Sequence, residues 1–103
     1  MKFVMAWTSR INGSGKENEE AVQRALQLFS KWQPPAGVTF HQFVGRVDSE
    51  GGFAVVETDQ PAELLNSTSK FAPYNAFQIY PVVDINDWAQ QAQDGVEFRE
   101  SIS

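Results

Sequence analysis

The chain has 103 residues, no cysteine, a single histidine and a formal net charge of −5. That length suits one domain with a modest core, and the lack of cysteine excludes disulfides and thiolate metal sites. An acidic balance with no basic cluster excludes a nucleic-acid surface, whose affinity comes from Lys and Arg displacing counterions. The opening Met1 to Arg10 holds an apolar stretch of only Phe3 to Trp7. This is too short for a signal-peptide core or a membrane span, so the expectation is a cytoplasmic protein with no membrane partner.

Lys2 to Ser9 alternates Phe3, Met5 and Trp7 against Val4, Ala6 and Thr8, which predicts a first strand. Arg10 to Lys16, with Asn12-Gly13-Ser14-Gly15, reads as a connecting loop. Glu17 to Trp32 places Val22, Ala25, Leu26, Phe29 and Trp32 at helical spacing, with carboxylates in the first turns, and it ends before Pro34-Pro35. Val38 to Val47 and Gly52 to Thr58 read as two strands joined by the polar turn Asp48 to Gly51, a hairpin. A second helix starts at Asp59 or Gln60 with Pro61 in its first turn, and Leu64 and Leu65 form its small apolar face. Ala76 to Val83 is the fourth strand, and Pro81 either places it at a sheet edge or ends it there. Asn86 to Gln93 reads as a short helix anchored by Trp88 and stopped at Gly95. The predicted domain is therefore residues 1–95, with 96–103 an unassigned C-terminal tail. Asn12-Gly13-Ser14 and Asn66-Ser67-Thr68 match the glycosylation pattern, but without an export signal they read as polar loop or helix-end triplets.

Two strand-helix-strand halves joined through a hairpin predict an α+β fold of ferredoxin-like βαββαβ type, a four-stranded antiparallel sheet with both helices on one face. If Phe3, Met5, Trp7, Phe53, Val55, Phe77 and Ile79 meet the helices, the other face carries Val4, Ala6, Ala54, Val56, Tyr80 and Val82. A sheet wet on that side would show polar residues there, and this one mostly does not. The expectation is a homodimer through the sheet face, two sheets closing into a dimeric barrel.

The opening Met1 to Thr8, the segment Phe43-Val44-Gly45-Arg46, the run Gly52 to Asp59 and the ending Phe77 to Val83 resemble the uncharacterised bacterial family called domain of unknown function 3303, across most of residues 1 to 90. The resemblance implies a dimeric α+β barrel. It implies no function, because the wider superfamily spans cofactor-free monooxygenases, haem-degrading enzymes, isomerases, dehydratases and proteins without known chemistry.

The chemistry-bearing residues each read two ways. His41, as the only histidine, makes a metal site improbable; it is either a general base suited to neutral pH or a strand residue hydrogen-bonded beside Phe40 and Phe43. Glu57, flanked by Val55, Val56 and Thr58, is either paired with Arg46 on the neighbouring strand, the preferred reading, or a proton-transfer group. Trp7, Trp32 and Trp88, with Phe29, Phe40, Phe43, Phe53, Tyr74, Phe77 and Tyr80, either fill the core or line a pocket for a flat apolar ligand. In the second case Asn75, His41 and Arg46 supply its polar contacts. Gly13-Ser14-Gly15-Lys16 lacks the spacing and the hydroxyl of a phosphate loop. Three functions follow as expectations, none calling for a cofactor: a dimer that binds a small apolar or aromatic ligand, a cofactor-independent monooxygenase or isomerase-like enzyme using His41 or Glu57, and a structural accessory subunit.

Overall fold

The computed structural model describes residues 1–10 and 13–102. Ile11, Asn12 and Ser103 lie outside the described residues, and with them the Asn12 triplet. The elements run β1 (Lys2–Ser9), α1 (Gly15–Lys31), β2 (Thr39–Gly45), β3 (Gly51–Glu57), α2 (Ala62–Ser69), β4 (Asn75–Val82) and α3 (Ile85–Ile102). The strands form one antiparallel sheet in the order β2-β3-β1-β4, with α1 and α2 against one face, the ferredoxin-like arrangement. β4 is an edge strand, where the missing N–H of Pro81 does no damage.

α1 starts two residues earlier than the carboxylate pattern implies, because Ser14 caps it. Its Oγ accepts the Glu17 N–H at 3.2 Å and meets the Glu17 carboxylate at the same distance. Gly13, at φ +86, lets the chain turn into this cap, and the Glu17 carboxylate occupies the space a Cβ would need. α2 starts later than the sequence implies, with Pro61 at its N-cap position. Its buried residues are Leu64, Ser67 and Thr68, whereas Leu65, expected to share the apolar face, is exposed. Small hydroxyl residues at the contact let α2 sit close to the sheet, and Thr68 returns its hydroxyl to the Leu65 carbonyl at 3.2 Å.

The register decides which residues meet the helices. Phe3 pairs with Val56 and Met5 with Ala54, so Ala54 and Val56 join the core with Phe3, Met5, Val38 and Leu64. Phe53 and Val55 turn to the opposite side, which reverses the face assignment made from the sequence for β3. Alternation within β3 is apolar in both phases, so the strand alone carries no signal of phase; pairing with β1 sets it. The open face presents Val4, Ala6, Phe53, Val55, Tyr80 and Val82, and Phe53 and Tyr80 are half exposed.

The C-terminal helix departs furthest from the sequence reading. α3 continues through Gly95 to Ile102, so the segment after 95 is helical and the expected stop does not occur. A single Gly in a helix costs only ~1 kcal/mol against Ala, less than the following good formers restore. No residue of α3 is buried. Among the described residues no helix is long and apolar enough to cross a membrane.

Candidate functional site

A β-bulge builds the site. The register of β2 against β3 shifts between Phe40 and Gln42, absorbing His41. Without it, Phe40 and Phe43 would lie on opposite faces; with it, both turn toward α1, stacked at 5.3 Å between centroids, and His41 turns to the open face. On the helix side Trp32 leaves the end of α1 in extended geometry, ahead of Pro34-Pro35, and swings its ring against Phe40 at 5.8 Å and Phe71 at 6.0 Å. Trp7 of β1 meets Phe43 edge-on at 5.4 Å, and Phe29 of α1 meets Phe43 at 5.9 Å. The rings adopt mostly edge-to-face contacts, the favoured geometry for quadrupoles.

These rings do not close into a solid interior. They surround an open cleft of about 480 Å³ between α1, α2 and the sheet, floored by Met5, Trp7, Ala54 and Phe77 and walled by Ala25, Leu26, Phe29 and Trp32. α1 contributes no buried residue, and Phe29 and Phe43 stay half exposed. Ser67, Thr68 and Asn75 bring the lining's hydroxyls and amide. The Trp32 indole N–H is buried and meets no acceptor among the described residues. An unpaired buried donor of this kind costs about 1–3 kcal/mol.

Of the residues singled out from the sequence, Trp7, Trp32 and Asn75 line this cleft, and His41, Arg46 and Tyr74 do not. The expected Arg46–Glu57 pair is absent. Gly45 pairs with Gly52, which puts Arg46 at the other end of the hairpin from Glu57; Arg46 instead pairs with Asp48 in the turn. Asp48 also accepts the Glu50 N–H at 3.1 Å, and that bond, then the guanidinium, hold its carboxyl below the usual 3.8. The partner of Glu57 is His41, Nε2 to Oε1 2.8 Å, with both side chains about half exposed on the open face. Phe71, Ser67 and Thr68 of the lining were not legible in the sequence as site residues; only the unusual run of small polar residues in α2 hints at a close helix–sheet approach.

His41 and Glu57 belong to a row of charges across one end of the open face. Lys2 sits opposite Glu57 in the register, and its ammonium donates to Asp84, just past β4, at 2.8 Å. That hydrogen bond, with the attraction between the charges, raises the Lys2 pKa above its ordinary 10.5 and lowers that of Asp84 below 3.8. The pair's stabilisation is therefore intact between those limits. It is lost as pH falls through the depressed value of Asp84, or as pH rises through the raised value of Lys2. Both groups are exposed, so the expected effect of Asp84→Asn is a small fall in melting temperature at neutral pH that vanishes in strong acid, measured by thermal melts at both.

Solved structures similar to the chain include two crystal structures of SnoaB, described as a cofactor-independent oxygenase from Streptomyces nogalater. One is of a variant, at 19% identity and TM-score 0.34, covering 81% of this chain and 94% of that one. The other stands at 17% identity and TM-score 0.29, covering 81% and 92%. Likeness this slight carries no statement about chemistry. No curated protein matches the chain. The model of one family, described as a domain of unknown function (DUF3303), matches residues 1–96, and the chain belongs to that family.

Proposed function

We propose that the protein is a homodimeric binding module that holds a small, flat, apolar ligand in the cleft between α1 and the sheet. The observation that carries this reading is the cleft itself. Its rings touch edge to face yet leave an open space bounded by aliphatic side chains, and half-exposed Phe29 and Phe43 gain burial when a ligand enters. Among the described residues the lining holds no His, Lys, Arg, Asp, Glu or Tyr. A proton-transfer step needs a titratable group within hydrogen-bond reach of the substrate, and the His41–Glu57 pair sits on the other side of the sheet. This favours binding over monooxygenase or isomerase chemistry that uses those two residues, and no cofactor enters the reading. The dimer rests on the open sheet face, whose apolar centre runs across β3 and β1 to Tyr80 of β4, with Gln78 beside it.

The unpaired Trp32 indole N–H adds a requirement, namely a ligand oxygen placed to accept it. Two probes of matched shape test this, 2-acetylnaphthalene with a carbonyl and 2-ethylnaphthalene without. Calorimetry is expected to show both binding, the ketone on the order of fivefold tighter, as a neutral hydrogen bond contributes about 1 kcal/mol. Trp32→Phe keeps an aromatic ring but removes the N–H, and should level the two affinities even if both weaken. No binding of either probe would leave the accessory-subunit reading in place of this one.

A further inference from the structure

Among the described residues α3 has no buried side chain, and beyond Ile85 and Trp88, which lie beside Met1, Pro81 and Val82, it runs free of the domain. It sets Ile85, Trp88, Ala92 and Val96 along one side at helical spacing, and Ile85 and Trp88 are at least 61% exposed. The radius of gyration is 18.3 Å, where a compact chain of this length has roughly 13 Å, and the longest extent is 62 Å. The helix therefore projects past the domain. A lone helix of this length is marginal in water, and its apolar stripe calls for a cover that its own chain does not supply.

The open sheet face indicates whose surface covers it. Across one end of that face the charges read Asp84, Lys2, Glu57 and His41, from the β4 side to β2. Rotating a second copy about an axis along the strands reverses the order, laying β4 over the partner's β2. Lys2 then faces the partner's Glu57, and Glu57 the partner's Lys2, so the centre of the row is complementary to itself, with Asp84 over the partner's His41 ring at either end. The same rotation brings the root of α3, which follows β4, beside the partner's β2 edge. α1 leans on that edge through Phe29, Trp32 and Phe43. There Leu26, Phe29, Phe43 and Val44 lie half exposed or more at the mouth of the cleft.

We propose that α3 is an exchange arm: it reaches across the dimer and packs its Ile85, Trp88, Ala92 and Val96 side against the partner's α1 and β2 rim, closing the mouth of the partner's cleft. Each ligand site is then completed by the other chain. The inference rests on the homodimer proposed above and adds to it the contact made by α3.

The test replaces Trp88, which is exposed, with the photo-crosslinker benzoylphenylalanine in the full chain and mixes it with an equal amount of heavy-isotope-labelled unmodified chain. Irradiation is expected to give a covalent dimer whose adduct maps to residues 22–44 of the labelled chain. An adduct confined to its own chain, an adduct on the α3 of the other chain, or no covalent dimer while sedimentation shows two copies would overturn the exchange arm and leave the sheet-face dimer standing. A wild-type mass of one copy would remove the dimer itself, and the arm with it.

Discussion

Val55→Glu is expected to separate the two copies of the proposed dimer without unfolding either. Val55 lies at the middle of the open face, opposite Val4 of β1, whose other neighbour is Tyr80 of β4. In a single copy it is only half buried, so a carboxylate there still reaches water and the sheet pairing is untouched. In a sheet-to-sheet dimer the same group is trapped between two dry surfaces with no cation opposite. An unpaired buried charge costs about 3–5 kcal/mol, on the order of a thousandfold in dimer affinity. Sedimentation equilibrium should return the mass of one chain, 11.5 kDa, with an unchanged circular dichroism spectrum. The neighbouring Val56 provides the contrast. It is 0% exposed against the helices, and Val56→Glu is expected to unfold the chain altogether. Two adjacent valines thus report separately on the partner surface and on the core.

Gly52→Ala is expected to damage fold and cleft together. Gly52 lies on the helix side, opposite Trp7, and the Trp7 ring lies across the place where a side chain would begin. A Cβ there overlaps that ring and also the Val44 carbonyl oxygen, which belongs to the backbone of β2 and has no rotamer to escape into. Overpacking of this kind costs about 1–3 kcal/mol, and because the ring floors the cleft, its displacement should also weaken 2-acetylnaphthalene binding. Gly45, opposite Gly52 in the register, has nothing within 4 Å of its hypothetical Cβ. Gly45→Ala is the control for the fold: no overlap, and a melting temperature close to wild type, although Gly45 also lines the cleft. Thermal melts and calorimetry on the two variants separate loss of the Trp7 seat from a general effect of replacing glycine in a strand.

The sequence carried the architecture because each element obeys its own local rule. β1 is legible from its alternation, α1 from the spacing of Val22, Ala25, Leu26 and Phe29, and the edge position of β4 from Pro81. What stayed hidden depends on pairing. β3 is apolar in both phases, so only its register with β1 reveals that Val55 faces outward and Val56 inward. The bulge at His41 leaves no mark in composition, yet it decides that Phe40 and Phe43 share the cleft and that His41 turns to the face where it meets Glu57. Trp7, Trp32 and Asn75 could be singled out as large or polar residues beside strand and helix ends, but Phe71 and the Ser67-Thr68 pair reach the cleft through the path of α2. Gly95 misled in the opposite direction. A glycine after a polar run reads as a helix stop, yet Val96, Phe98 and Ile102 continue the helix beyond it.

One surface links these observations. The sheet has two apolar faces, and α1 and α2 cover one of them. Sedimentation equilibrium of the unmodified chain at micromolar concentration asks directly whether the second face is covered by a copy of itself. Twice 11.5 kDa is the expected mass. A single species at 11.5 kDa, stable and unaggregated with Phe53, Val55 and Tyr80 in water, would contradict it.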